Sequence, residues 1–184
     1  MLAARVAVIG TGVAAERLVA HLAAAGVGWI AAEPALHAFV DPEQPDVRIV
    51  ALGDPAAGEG LGAAVVVAAS PETAAITSER IEHTAARTPH VFWIADGRAA
   101  ATPPCPRCAA ATAPSAPPVP AELLALRDAF LGTTIATEVV KALLAIGSGL
   151  AGSVLGYDPT TATVTSTVIT RQAGCGCAGD AARG

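Results

Sequence analysis

The four cysteines of the chain arrive as two tight pairs that lie far apart in the sequence, and no other feature constrains the fold as strongly. The first pair is Cys105-Pro106-Arg107-Cys108 and the second is Cys175-Gly176-Cys177. Thiolates two or three residues apart on a turn converge on a common point, and two such pairs supply the four sulfur ligands that a tetrahedral Zn²⁺ site prefers. The spacing therefore predicts a structural zinc ion that fastens the tail of the chain to its middle and does no chemistry.

The alternative interpretation of the cysteines is a disulfide framework. Such frameworks belong to small secreted domains that are dense in cysteine, whereas this chain has four cysteines in 184 residues. The apolar N-terminus resembles a signal peptide, but Gly10 and Gly12 interrupt it, and Glu16 and Arg17 follow at once. We therefore favour zinc over disulfides and expect a cytoplasmic protein.

Length and composition narrow the class of protein further. A chain of 184 residues fits one domain, so we predict a single domain over residues 1–184. The net charge is −5, and there is no basic stripe or aromatic platform, which argues against a nucleic-acid partner. The longest apolar stretches are too short to span a membrane, so no membrane partner is expected.

The first ordered unit has the form of a phosphate-binding strand, turn and helix. Arg5–Ile9 is a continuous apolar run typical of a buried strand, and Gly10-Thr11-Gly12-Val13-Ala14-Ala15 follows it before a helix to Ala25. This is the G-x-G-x-x-A form of the dinucleotide fingerprint. In it Gly10 permits the tight turn, Gly12 lets the backbone approach a phosphate, and Ala15 allows the helix to pack closely on the strand.

A second strand predicted at 28–32 places Glu33 at its end, about 20 residues past the glycines, where an acid on a ribose hydroxyl is expected. The alternative is a Rossmann-like turn that keeps its glycines for packing and binds nothing.

The rest of the chain alternates strands with helices, which predicts a doubly wound, mostly parallel Rossmann-like sheet. Residues 98–120 are rich in proline and alanine and are predicted to form an irregular crossover loop. A short helix is expected at 121–130, followed by an amphipathic helix at 133–146 with Glu138 and Lys141 away from its apolar face. Strands at 153–157 and 162–170 complete the predicted fold as an antiparallel hairpin, before the zinc-clamped tail.

Three later motifs resemble the C-terminal part of the ThiF/MoeB/HesA family, the bacterial relatives of ubiquitin-activating enzymes. They are the run G-T-T-I-A-T-E-V-V-K-A-L-L-A-I-G at 132–147, the sequence L-G-Y-D at 155–158, and the closing pair Cys175 and Cys177. The resemblance covers the whole chain in outline and is most specific from Cys105 onward. It implies a doubly wound α/β fold, a structural zinc on Cys105, Cys108, Cys175 and Cys177, and a homodimer.

Members of this family bind ATP at the first turn and adenylate the C-terminal carboxylate of a ubiquitin-like sulfur carrier. Carried over to this chain, the resemblance implies that Gly10 and Gly12 face phosphate and that Glu33 holds the ribose.

The sequence also departs from the family pattern. Val13 and Ala15 replace two glycines of the usual G-x-G-G-x-G turn, and the expected S-N-L-x-R-Q segment is absent. The family's aspartate for Mg²⁺ is replaced by Ala69-Ser70-Pro71-Glu72, in which Glu72 is one position away. Arg48 is the one basic residue between 18 and 79, so triphosphate contacts lack a counterpart, and the zinc site leaves no cysteine for a thioester.

Three functions therefore compete. The first is a degenerate accessory member that binds a nucleotide, a peptide or a small-protein tail, similar to the peptide-binding accessories of azole-forming cyclodehydratases, whose C-x-C ending it shares. The second is an active adenylyltransferase whose missing groups come from a second subunit. The third is an NAD-dependent reductase, which depends on the fingerprint and Glu33 alone.

Overall fold

The computed structural model describes residues 3–54, 60–84 (without the side chains of 82–84), 90–103, 105–113, 116, 118–147, 150, 152–170, 172–173 and 175. The described strands are β1 (Arg5–Ile9), β2 (Trp29–Ala32), β3 (Arg48–Ala51), β4 (Ala63–Ala68), β5 (His90–Ala95), β6 (Arg98–Thr102), β7 (Ser153–Asp158) and β8 (Thr163–Val168). The described helices are α1 (Val13–Ala24), α2 (Pro71–Thr84), α3 (Pro106–Thr112) and α4 (Ala121–Leu143), with a 3₁₀ turn at Pro34–Phe39.

All of these strands belong to one sheet in the order β3-β2-β1-β4-β5-β6-β7-β8. Strands β1 to β5 run parallel, whereas β6, β7 and β8 pair in antiparallel fashion. The predicted α/β class, the mostly parallel sheet and the C-terminal antiparallel hairpin are confirmed in this form. The antiparallel part is one strand longer than expected, because β6 joins it.

Helices cover both faces of the sheet, which explains why the central strands are apolar on both sides. On one face, Val6, Val8 and Val65 form a core with residues of α1 and α4, such as Leu18 and Ile135. On the other face, Ala7, Ala31 and Ala64 form a smaller cluster with Ile81 of α2 packed against it. The alternation of strand side chains therefore divides the apolar residues between two helical layers.

The prediction that residues 98–120 form only an irregular loop is wrong. Strand β6 occupies the start of this segment and lies beside β5, joined to it by the tight turn at Asp96 and Gly97, both of which have positive φ. Helix α3 follows with Pro106 in its first turn. Proline is tolerated there because the backbone N–H that it lacks would have no partner within the helix. Pro106 therefore marks the start of a short helix.

The two helices predicted at 121–130 and 133–146 are one continuous helix, α4. Gly132 lies within this helix, and α1 packs against the space left by its missing side chain. Glu138 was expected away from the apolar face, but it is only 8% exposed, and it accepts a 2.7 Å hydrogen bond from Lys141 Nζ. A charged pair at this spacing can lie partly inside the core because the lysine neutralises the carboxylate.

None of the helices in the described ranges has the length and apolarity that a membrane crossing requires.

Candidate functional site

The carboxyl ends of the parallel strands meet at one edge of the sheet. Val8 of β1 lies level with Ala32 of β2 and with Val65 of β4, and Ala32 lies level with Ala51 of β3. Strand β1 has β2 on one side and β4 on the other, so the chain turns in opposite directions from this point. Ligands of open α/β sheets bind in the crevice at such a switch point.

The glycine turn occupies this crevice, and its two glycines have different surroundings. Gly10 has a φ of +108°, and a Cβ built on it would lie 2.0 Å from the Val67 carbonyl oxygen of β4. Gly12 has a φ of +97°, and a Cβ there would meet no atom within 4 Å. Gly10 therefore fits the turn against the sheet, while Gly12 borders open space.

Ala15 lies beneath the turn and is fully buried, which is consistent with the close packing expected of that position. Gly12 is the N-cap of α1 and no side chain caps the helix. The first N–H groups of a helix have no acceptor within it, and together with the helix dipole they favour an anion. Glu16 also lies in this first turn, so its carboxylate competes for the same positive potential.

Glu33 follows β2 directly and is half-buried at the same edge of the sheet. Its carbonyl oxygen accepts the Leu36 N–H at 2.9 Å, which begins the 3₁₀ turn. The structure thus brings Gly10, Gly12 and Glu33 to one edge, and places Ala15 in the core behind them.

Arg48, by contrast, lies at the opposite edge of the sheet. It begins β3, and its guanidinium carbon lies 5.2 Å from the ring centroid of Trp29, which begins β2. Arg5, at the start of β1, lies 4.7 Å from the same ring. Both arginines therefore stack on a tryptophan at the amino ends of the strands, away from the glycine turn.

Glu72, which the sequence resemblance placed one position from an expected Mg²⁺ ligand, is engaged by the cysteine segment. Arg107 Nη2 lies 3.2 Å from one oxygen of Glu72, and Arg107 Nη1 lies 2.7 Å from Glu79 Oε1 on the next turns of α2. The hydrogen bond to Glu72, followed by the charge of Glu79, raises the pKa of Arg107 above its ordinary value. The Glu72 carboxylate is thus held toward α3.

Two arginines lie near the carboxyl end of β5 and were not predicted as site residues from the sequence. Arg98 is 6% exposed, and its Nη2 donates to Asp96 Oδ2 at 3.1 Å. Arg127 of α4 packs against Gly97 and donates through Nε to Asp128 at 3.0 Å. The signal that would have placed Arg98 is the dipeptide Asp96-Gly97, which is a strong indicator of a two-residue hairpin.

Three of the four cysteines come together on the face of the sheet opposite α1. The Sγ atoms of Cys105, Cys108 and Cys175 all lie within 4.8 Å of one another, and Cys105 Sγ is 3.4 Å from Cys175 Sγ. Sulfur ligands about 2.3 Å from a tetrahedral Zn²⁺ lie roughly 3.8 Å apart, whereas a disulfide requires about 2.05 Å. The arrangement therefore fits a shared metal ion. Cys177 lies outside the described residues.

The surroundings of the cluster also suit a closed metal site. Cys108 is fully buried, and its sulfur accepts the Gln172 N–H at 3.5 Å. Trp93, Ala109 and Ile169 belong to the apolar cluster around these sulfurs. Buried thiolates that are hydrogen-bonded and shielded from solvent are the setting of a structural zinc ion.

A pocket of about 290 Å³ is lined by residues of strands β6 to β8 and by Ala113 and Ala116. Ala113 and Val154 also belong to the apolar cluster around the cysteines. Arg98 and Asp158 are among the residues that line it. Arg98 Nε is buried and has no hydrogen-bond partner within the described part of the chain. An unsatisfied buried donor costs on the order of 1–3 kcal/mol.

The sequence matches no protein-family model and no curated protein. Among solved structures, the chain is similar to MccB of E. coli, with 14% identity and a TM-score of 0.64, covering 97% of this chain and 66% of that one. The microcin C7 biosynthetic enzyme MccB in complex with N-formylated MccA gives a TM-score of 0.63 at 14% identity, covering 97% of this chain and 68% of that one. MccB has also been solved with ATP.

A heterocyclase in complex with substrate and cofactor is similar as well, with 13% identity and a TM-score of 0.54, covering 98% of this chain and 26% of that one. The chain thus spans about two thirds of MccB and about a quarter of the heterocyclase. At this level of identity the likenesses concern the fold alone: the chain shares the fold of MccB and of a part of the heterocyclase.

Proposed function

We propose that this chain is a zinc-stabilised, ThiF/MoeB-like accessory protein that binds a nucleotide, a peptide or a small-protein tail without adenylating it. The observation that carries the proposal is the ion pair of Glu72 with Arg107. It holds toward the cysteine segment the carboxylate that the sequence resemblance placed one position from an expected Mg²⁺ ligand. The chain also keeps a glycine turn of the phosphate-binding type, in which Gly12 borders open space.

In this proposal Cys105, Cys108 and Cys175 hold the zinc ion together with Cys177. The metal supplies folding free energy, because a closed four-sulfur site leaves no coordination position for a substrate. Arg107 lies between the first two cysteines and ties the same segment to α2 through Glu72 and Glu79.

Nucleotide binding is supported by the strand order and by the glycine turn. The parallel strands follow the order 3-2-1-4-5, which is the order of dinucleotide-binding sheets. The backbone at Gly10 and Gly12 would receive phosphate at the start of α1, and Glu33, at the same edge, would accept a ribose hydroxyl.

Adenylation is disfavoured by where the positive charges lie. An adenylyl-transfer transition state needs preorganised cations around the departing pyrophosphate. Arg48 and Arg5 are stacked on Trp29 at the other edge of the sheet. Arg98 and Arg127 lie nearer to the carboxyl ends of the strands, but each is paired with an aspartate, which offsets most of the charge it could present to a polyanion such as pyrophosphate.

A peptide or a small protein as the partner is supported by what the similar structures contain. MccB is found in complex with N-formylated MccA, and the heterocyclase is found with its substrate and a cofactor. The fold of this chain is thus one that other proteins use to handle such partners.

The second candidate function is an active adenylyltransferase that works as a homodimer. The nearness of Arg98 and Arg127 to the carboxyl end of β5 favours it, because a second subunit could complete a cationic site begun by these residues.

Pyrophosphate exchange distinguishes the two functions. The purified chain, with its zinc content and molar mass measured on the same sample, is incubated with ATP, Mg²⁺ and labelled pyrophosphate, with and without a ubiquitin-like sulfur carrier. We expect ATP binding by calorimetry but no exchange above a blank without protein. Robust exchange would establish the adenylyltransferase, and binding of NADH without any response to ATP would favour the reductase.

A further inference from the structure

The pocket beside Arg98 lies apart from the glycine turn. Arg98 is paired with Ala95 across the β5–β6 hairpin and with Gly156 of β7. Three strand spacings separate β1 from β6, which amounts to about 14 Å. A ligand in this pocket would therefore not occupy the phosphate-binding crevice.

Arg98 is the residue in this pocket whose hydrogen bonding is incomplete. Its side chain is 7% exposed, and one of its terminal nitrogens donates to Asp96, whose own side chain is half exposed. The Nε–H has no acceptor within the described part of the chain. A guanidinium offers five N–H donors and accepts nothing. Within the described residues one hydrogen bond, from Nη2 to Asp96, engages the Arg98 guanidinium, so this side chain on the pocket wall retains donors for an oxygen acceptor.

The other side of the pocket offers hydroxyl groups and one carboxylate. Thr163, Thr165 and Thr167 alternate along β8 and line it together. Gly156 has no side chain to enter the pocket, and a Cβ there would lie 2.8 Å from Thr165 Oγ1. Asp158 lines the pocket too, and the Thr160 N–H and the Thr161 hydroxyl donate to its carboxylate, which keeps the pKa of Asp158 below its ordinary value.

We propose that this pocket binds the carboxylate of a peptide, with the Arg98 guanidinium donating to a carboxylate oxygen and Asp158 accepting a nearby peptide N–H. The proposal deepens the peptide-binding part of the proposed function and rests on it. The carboxylate is either the C-terminus of the peptide or the side chain of an acidic residue, because both present the same two oxygens to a guanidinium.

The charges around Arg98 favour a carboxylate attached to an N–H over a phosphate. Asp96 and Asp158 bring two negative charges near one buried guanidinium, so a phosphate dianion would meet about twice the net repulsion that a single carboxylate meets. A peptide carries a single negative charge beside an amide donor. The donor and acceptor pair Arg98 and Asp158 matches that pattern.

The test uses two small carboxylates and one neutral analogue, each titrated into isotope-labelled protein and followed by NMR. N-acetylglycine represents a C-terminus, N-acetylglutamic acid α-amide represents an acidic side chain, and N-acetylglycinamide is the neutral control. We expect saturable shifts of the Arg98 Nε–H resonance and of the Gly156 and Thr165 amides with at least one carboxylate. The carboxylate that binds more tightly identifies the source.

Two variants check the assignment on folded protein. Arg98→Gln should weaken binding of the carboxylate at least tenfold. Thr165→Val changes the pocket without touching the buried arginine and should also weaken this binding. Arg127→Gln is the matched control, since this arginine lies against the same turn but does not line the pocket. Equal shifts with the neutral amide, or none with either carboxylate, would overturn the proposal, whereas zinc content and ATP-induced shifts on the same samples report on the proposed function separately.

Discussion

Gly132 of α4 lies directly against the backbone of Ala14 in α1, so that a Cβ on the glycine would stand 2.2 Å from the Ala14 carbonyl oxygen. The two helices pack on the same face of the sheet and share its main apolar core. Their close approach seats the start of α1, and with it the glycine turn, at the edge of the sheet.

Gly132→Ala should destabilise the protein. Alanine gains about 1 kcal/mol of helix propensity over glycine, but the added methyl forces two backbones apart, and overpacking of this kind typically costs about 1–3 kcal/mol. We expect a net fall in the free energy of unfolding, measured by urea denaturation. Thr137→Ala, at an exposed position of the same helix, is the control and should leave it unchanged or raise it by no more than about 0.7 kcal/mol, the gain in helix propensity. Equal stability of the glycine variant and wild type would contradict the packing.

The two turn glycines should respond differently to alanine. Gly10→Ala combines a strained φ with a collision against the Val67 carbonyl, whereas Gly12→Ala carries only the backbone strain, on the order of 1–3 kcal/mol. Thermal unfolding should therefore show the larger loss for Gly10→Ala. Calorimetry with ATP should show that Gly12→Ala, if folded, loses affinity because its methyl group points into the space where phosphate would lie. Unaltered ATP affinity in that variant would argue against phosphate at this turn.

Replacing one cysteine should release the metal. Cys105→Ser and Cys175→Ser each remove a sulfur from the cluster, and we expect elemental analysis to find about one zinc ion per chain in wild type. Affinity should fall by more than the roughly 10- to 100-fold that changes outside the ligand shell cause. Ala110→Ser, on an exposed position of α3, introduces the same side chain and should retain the metal. Unchanged zinc content in the cysteine variants would refute the site.

Asp158 should make stability depend on pH in the acid range. The hydrogen bonds from Thr160 and Thr161 lower its pKa in the folded state below the unfolded value of 3.8. A proton therefore binds more tightly to the unfolded chain, so the stabilisation is present above that pH and is lost as the pH falls through the lower folded pKa. The difference in melting temperature between wild type and Asp158→Asn should shrink as the pH falls toward that range. A constant difference would count against the effect.

The central strands could be predicted from sequence because they are apolar on both sides and end in recognisable turns. Strand β6 could not be predicted in this way, since alanine has little preference for strands. Its position is set by its neighbours β5 and β7, and only the turn at Asp96 and Gly97 signalled it.

The other differences between the predicted and observed elements have one physical origin, which is tertiary packing that overrides a local sequence signal. Gly132 would suggest a helix break, yet the close approach of Ala14 explains why a glycine is there and the helix continues. The convergence of Cys105, Cys108 and Cys175 could be predicted from their spacing, because sulfurs that share one ion must lie close together. The pocket around Arg98 could not be foreseen, because it depends on which residues of three strands face the same side.

The two tryptophans occupy opposite environments, and this gives the protein two independent optical reporters. Trp93 is fully buried in the apolar cluster that also contains Cys105 and Cys108, and its indole N–H has no acceptor within the described ranges. Trp29 lies partly exposed against two guanidinium groups. A water-soluble quencher would reduce the fluorescence of Trp29 first. The remaining emission, from Trp93, would be blue-shifted, and its intensity would follow the state of the neighbouring sulfurs.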